Sequence, residues 1–259
     1  MAWPAPCKAL KAVRYARQLV NWLEVGRCMW HHQPITHLQF RNGLVIYGNP
    51  ATGLMRLYKE IWRHDVYRIR RDPLPLGATV IDVGANIGMF ALHPGVASRA
   101  ERVLCYEPFP ESYALLQRNI EANRCHSVHA QSMGIAGSCG TRRLYVNAFY
   151  GRNHLFGAEG QSSLPIECIT LADLFEREQV ERCGFLKMDC EGAEFEILLT
   201  TPAAVLARID RIALEYHDHL TVHRHDELIT LFRAAGLATE VLPLGRRTGY
   251  LFASRLGLH

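Results

Sequence analysis

The stretch Thr79–Phe90, TVIDVGANIGMF, decides how this chain is read. A β-branched apolar run ends in Asp82, a turn punctuated by Gly84 and Gly88 follows, and a second apolar run opens at Met89. Strand, glycine-rich turn and helix, in that order, is how α/β proteins bring backbone close to a nucleotide-like ligand. The spacing Gly84-Ala85-Asn86-Ile87-Gly88 is not the G-x-G-x-x-G of nicotinamide and flavin sites. No G-x-x-x-x-G-K-[ST] phosphate loop occurs either.

Asp82 stands two residues before the first glycine. A carboxylate there opposes a pyrophosphate and suits a ligand with an ammonium and a sulfonium, as S-adenosylmethionine has. Glu107 ends the next apolar run, CYEPFP, 23 positions after Gly84. That is close to the spacing of the ribose-binding acid in dinucleotide folds. NAD and S-adenosylmethionine share the ribose diol, so Glu107 supports an adenosyl ligand without choosing between them. Pro108 and Phe109 are placed to wall one face of an adenine.

Working outward, strands and helices alternate from Thr79 to the end. Candidate strands are 79–83, 102–107, 127–132, 184–189, 210–216, 237–242 and 249–254. Pro110 opens a helix over Glu111–Asn123. Thr170 with Asp173 has the form of a capping box ahead of LADLFERE, and Gly236 is placed to end ELITLFRAA. This alternation predicts a mostly parallel sheet covered on both faces, with ligands beyond the carboxyl ends of its strands.

Two further strand ends carry chemistry. Asp189 terminates the apolar run of FLKMDCEGAEFEIL, and Glu191 and Gly192 begin a helix there. The run RIALEYHDHLTVHRHDE holds Glu215, His217, His219, His223 and His225. Their spacing fits no zinc motif, so no metal is assigned. His217, just past the strand end, is the candidate general base, because imidazole titrates near the working pH. His154, in the Gly-rich GRNHLFGAEG, is a second candidate, on a loop expected to cover the cleft.

Ahead of this core, residues 1–36 read as a helical lead. Lys8, Lys11, Arg14 and Arg17 precede the first acid, Glu24, and Leu10, Val13, Ala16, Leu19, Val20 and Leu23 recur at helical spacing. Such a helix packs on the domain or on a second subunit, which makes a homodimer an expectation. Residues 37–76 read as a β-hairpin turned at Asn42-Gly43, a helix over LMRLYKEIWRHDVYRI and a proline-rich joint, RDPLPLG. Residues 77–259 form the cofactor-binding domain.

The totals narrow the class. The 259 residues are 49% hydrophobic and 21% charged, as in an ordinary globular chain. The net charge of +4 is spread over interspersed acids and bases, so a nucleic-acid partner is not expected. Arg68, Arg70 and Arg71, and the pair Arg246 and Arg247, read as solvated patches. None of the eight cysteines forms a C-x-x-C pair, which points to a reduced, cytoplasmic protein. No apolar run reaches the length of a membrane span, and the N-terminus lacks a signal-peptide apolar core.

Taken in order, VIDVGANIGMFAL, CYEPFPESYALLQRNI, ITLADLF, FLKMDCEGAEFEILL and RIALEYH resemble the FkbM family of S-adenosylmethionine-dependent methyltransferases. The resemblance runs from about Leu38 to Ala253. It implies a class I methyltransferase (Rossmann-like) sheet of seven strands with the last, TGYLFASR, antiparallel. It also implies methyl transfer from S-adenosylmethionine to a hydroxyl of a small molecule of natural-product or sugar type. By the same resemblance Asp82, Gly84, Asn86 and Gly88 hold the methionine part of the cofactor, Glu107 the ribose, and Ser132 and Met133 the adenine. Asp189 faces the sulfonium and the substrate, and Asp189 or Glu215 orients His217 or the acceptor.

Two positions depart from the family pattern. Pro94 falls inside the helix expected after the glycine loop and should kink or shorten it. Ser132 stands where relatives often carry Asn. Two other readings remain open: transfer to nitrogen of an amino sugar or peptide, and a cofactor-binding scaffold without catalysis.

Overall fold

The computed structural model describes residues 15–146, 153–155 and 162–255. The first fourteen residues of the predicted lead therefore lie outside the described residues. From Tyr15 the chain makes one helical turn and breaks at Leu19, which bridges to Phe40. Helix α1 (Trp22–Trp30) follows, then the hairpin of β1 (His37–Gln39) and β2 (Val45–Tyr47), paired antiparallel around Gly43 at φ +90°. Next comes α2 (Leu54–Leu57), which widens into a π-helix over Tyr58–Arg63, a departure from the plain α-helix that the spacing predicts.

The central sheet is built from β3 (Ala78–Val83), β4 (Ala100–Tyr106), β5 (Val128–Gln131), β9 (Phe185–Met188), β10 (Arg211–His217), β11 (Leu237–Pro243) and β12 (Thr248–Arg255). Their order is β11-β12-β10-β9-β3-β4-β5. Every neighbouring pair is parallel except those made by β12, which runs antiparallel to β10 and β11. This is the seven-stranded, mostly parallel sheet with an antiparallel last strand that the resemblance implies. The chain turns one way from β3 through β4 to β5 and the other way through β9 and β10. The strand order therefore reverses between β3 and β9, where such folds hold ligands.

Side-chain alternation splits the core in two. Ile81, Val83, Leu186 and Met188 face one apolar cluster with the helices α5 (Leu171–Arg177), α6 (Ala193–Thr200), α7 (Ala203–Leu206) and α8 (His225–Ala234). Val80, Val103 and Phe185 face the other, which also takes Leu38 and Ile46 of the hairpin and Leu19. The N-terminal segment and hairpin thus share a core with the sheet. The hairpin is also tied to helix α4 (Pro110–Ala122) and the residue after it. Asn119 and Asn123 each use one side-chain amide to bond both backbone groups of a hairpin residue, Tyr47 and Val45 respectively. These amides take the place of a neighbouring strand.

The Thr170–Asp173 capping box forms, and Gly236, at φ +78°, follows the end of α8. The helix after the glycine loop is cut to α3 (Pro94–Ala97), with Pro94 in its first turn and His93 accepting from the Gly95 N–H. A proline in the first turn loses nothing, because that N–H has no helical partner. The sequence reading did not foresee a second, three-stranded sheet of β6 (Gly134–Ile135), β7 (Gly140–Tyr145) and β8 (Ser163–Ile169), in the order β6-β8-β7. No helix among the described residues is long and apolar enough to cross a membrane.

Candidate active site

The turn after β3 is held by its neighbours on both sides. Gly84 and Ala85 donate N–H bonds to the Tyr106 carbonyl at the end of β4, at 3.0 and 3.1 Å. On the other side Asp189 donates to the Val83 carbonyl at 3.1 Å. Gly84 has φ +73°, and an ideal Cβ there would lie 2.0 Å from the Asp189 carbonyl oxygen, so only glycine fits. Asn86 takes φ +51°, a left-handed conformation that asparagine tolerates better than most residues. Gly88, at φ +85°, packs against Leu116 and serves the fold rather than the cavity.

Glu107 locks the turn to β4. One carboxylate oxygen accepts the Asn86 N–H at 2.8 Å and the other the Phe109 N–H at 2.9 Å. Burial pushes its pKa up to about 7, against the opposing pull of the Phe109 and Asn86 N–H groups.

Beneath the turn lies Lys187, from the middle of β9. Its ammonium is 3.0 Å from the Asp82 carboxylate and donates to the Gly84 carbonyl at 2.7 Å. Burial alone would lower the Lys187 pKa, but Asp82 and Asp189 outweigh it and hold the ammonium charged. Asp82, expected to hold the methionine part of the cofactor, is fully buried on the sheet face shared with Val80, outside the cavity lining, and is paired with Lys187. Asp82 is a positioning residue for the turn. Sequence reasoning passed over Lys187, although a lone charge in a strand buried on both faces requires a buried partner.

Of the predicted site residues, Gly84, Asn86, Glu107, Pro108, Asp189 and His154 line one cavity. Phe109 does not; it packs with Ala136 and Cys168 in a small core under the second sheet. Ser132 is exposed and Met133 packs on the main core, so the wall expected from them is made instead by Gly134 and Ile135. His154 is joined to Tyr145 by paired backbone hydrogen bonds of 2.8 and 3.2 Å and stacks on its ring.

Behind Asp189 the ends of β9 and β10 gather charge. Tyr67 donates its hydroxyl to Asp189 at 3.3 Å. The ring of His217 has Nδ1 3.3 Å from Glu194 and Nε2 3.5 Å from Glu191 and 3.7 Å from Glu215. One side-chain atom each of Asp189, Glu215 and His217 lies within 4.8 Å of the others. Burial works to lower the His217 pKa, but the hydrogen bond and charge of Glu194, with Asp189 and Glu191, raise it to about 10. At neutral pH the ring already holds a proton, so it is not the free base that the sequence reading expected. Glu215 is pushed up to about 8, first by burial and then by Asp189.

Of the remaining histidines of that run, His219 stays beside His217, ring centroids 5.9 Å apart, and the other two turn to separate partners. His225 bonds Asp218 at 2.8 Å and stacks on Tyr216, and His223 pairs with Glu227 at 2.9 Å.

A glycine turn and a ribose-spaced acid around one cavity, at the reversal of a seven-stranded sheet with an antiparallel last strand, define a class I methyltransferase fold. Residues 82–237, more than half of the chain, match the Methyltransferase FkbM domain, and the chain belongs to that family. It is 30% identical over 231 residues to the AMB antimetabolite synthetase AmbE of Pseudomonas aeruginosa, covering 71% of this chain but only 11% of that protein. It is 27% identical to the 31-O-demethyl-FK506 methyltransferase FkbM of Streptomyces tacrolimicus, over 70% of this chain and 81% of that one. A crystal structure of Methyltransferase FkbM from Methylobacillus flagellatus aligns with 70% of this chain and 44% of its own, at 18% identity and a TM-score of 0.45.

Proposed function

We propose that this chain transfers a methyl group from S-adenosylmethionine to a hydroxyl of a small molecule of natural-product or sugar type. The observation that carries this reading is the single cavity onto which Gly84, Asn86, Glu107 and Asp189 all open. Each Glu107 oxygen takes one backbone N–H and keeps a lone pair for a ribose hydroxyl. Pro108 and Ile135 offer apolar walls to an adenine, and the Gly84–Asn86 turn allows the methionine part to approach the backbone. The Streptomyces tacrolimicus relative, a 31-O-demethyl-FK506 methyltransferase, favours oxygen as the acceptor.

In the reaction the acceptor oxygen forms a bond to the methyl carbon while the carbon–sulfur bond breaks. Its electron pair goes to sulfur, leaving a neutral thioether. Alignment of oxygen, carbon and sulfur does most of the work. The hydroxyl proton passes to a carboxylate, for which we assign Asp189, one of three acids that line the cavity with Glu107 and Glu191.

A second reading, transfer to an amine, draws on the surplus of acids at that wall, where Asp189, Glu191 and Glu215 surround one imidazole. Incubation with methyl-labelled S-adenosylmethionine and matched panels of polyols, sugars and amines separates the two. Label in the hydroxylated panel supports the proposal, and label in amines alone replaces it with the second reading.

A further inference from the structure

We propose that Asp189, Glu215 and His217 bind one divalent first-row cation at the Asp189 wall of the cavity; its catalytic consequence rests on the methyltransferase reading above. The three residues are brought together by strand geometry. β9 and β10 are parallel neighbours, with Met188 opposite Leu214, so Asp189 comes level with Glu215. Glu215 and His217 are alternate residues of β10 and face the same side. Their ligand atoms fall within 4.8 Å of one another. Ligands at about 2.1 Å from an octahedral ion stand about 3 to 4 Å apart. The triad therefore closes on an ion with side-chain shifts of an ångström or less.

A second observation is independent of that spacing: two of the three groups are oriented from outside. Glu194 lies on α6, is fully buried, and accepts N–H bonds from Cys190 at 3.0 Å and Gly192 at 2.8 Å. So anchored, it holds His217 at Nδ1 and turns Nε2 toward Glu215, where an incoming cation would displace the Nε2 proton. Tyr67, ahead of the sheet, holds one Asp189 oxygen and leaves the other. A carboxylate behind the imidazole and a hydrogen bond behind the carboxylate are the supports that fix metal ligands in place. Glu191, held at φ +50°, adds a further carboxylate beside the same Nε2. Two carboxylates and an imidazole suit Mn²⁺, Fe²⁺ or Zn²⁺ better than Mg²⁺ or Ca²⁺. An acceptor hydroxyl bound to such an ion loses its proton more readily than a free one.

The test is a Mn²⁺ titration of the chelator-stripped full chain, followed by electron paramagnetic resonance, with S-adenosylhomocysteine calorimetry on the same samples. We expect one Mn²⁺ per wild-type chain and no saturable binding in Glu215→Gln or His217→Asn. Tyr67→Phe should bind about 10–100-fold more weakly, and the surface variant Asp226→Asn should match wild type. Glu215→Gln should keep its affinity for S-adenosylhomocysteine, which shows that the variant is folded. Failure of the wild type to bind Mn²⁺ while it binds S-adenosylhomocysteine overturns the ion site and leaves the methyltransferase reading standing. Binding that survives in both triad variants overturns it as well, by placing the ion elsewhere. Mn²⁺ bound by this triad in a chain that ignores S-adenosylhomocysteine would keep the ion site and remove its catalytic consequence.

Discussion

The carbonyl oxygen of Asp189 occupies the space that a side chain on Gly84 would need, 2.0 Å from an ideal Cβ. Backbone meets backbone there, and the end of β9 is thereby set against the turn after β3. Replacing Gly84 by alanine forces either the turn or the Asp189 peptide to move, with a positive φ to strain as well. The expected cost is about 2–4 kcal/mol of stability with loss of cofactor binding. Gly26→Ala, in α1 with open space around it, should instead gain roughly 0.5–1 kcal/mol. Urea denaturation of the two variants checks the contrast.

Lys187 and Asp82 form a buried ion pair that also holds the carbonyl of the glycine turn. Lys187→Met leaves the Asp82 charge buried without its partner, at a cost of about 3–5 kcal/mol. The double variant Lys187→Met with Asp82→Leu removes both charges and should recover much of that loss. A double-mutant cycle in denaturant measures the coupling, and strict additivity would contradict the pairing.

Asn119 is fully buried and bonds Tyr47 twice, with a third bond to the Ile87 carbonyl of the glycine loop. Asn119→Leu should cost on the order of 2–3 kcal/mol, because it strands three backbone groups away from water. Asn123→Ala, at the solvent-facing end of the same seam, should cost about half as much. Thermal unfolding of both variants tests the ranking.

Glu107 gives the site a pH dependence. Its pKa in the free protein is about 7, raised from 4.5 by burial. Ribose hydroxyls donate to the ionised carboxylate, so affinity for S-adenosylhomocysteine should rise from pH 6 to pH 8 by about tenfold and then level off. Stability runs the other way. Between 4.5 and 7 the folded chain keeps a proton that the unfolded chain has released, so the Glu107 contribution falls as pH rises through that window. Glu107→Gln should bind more weakly and show a flat profile in calorimetry across the same range.

The central strands were legible because a strand buried on both faces reads as a continuous apolar run between breakers, as VLCY of β4 and IAL of β10 do. The three-stranded sheet was not. β6 has only two residues, β7 is mostly polar, and Pro165 in β8 reads against a strand although Ile166 and Cys168 alternate with exposed Glu167. In the site, the glycine turn, Glu107 and Asp189 were readable from position. Asp82 was placed correctly at its strand, but its pairing with Lys187 was not legible, because Lys187 is 105 positions away and meets it only through the β3–β9 register. The protonated state of His217 was hidden for the same reason. Its proton is held by Glu194, which folding brings from α6 to the end of β10.

The most direct test of the central claim is calorimetric titration of the folded chain with S-adenosylhomocysteine, with NAD as the control. The account predicts saturable binding of S-adenosylhomocysteine at one site per chain, weakened by Glu107→Gln, and no heat from NAD. A folded chain that binds NAD, or binds neither ligand, would contradict it.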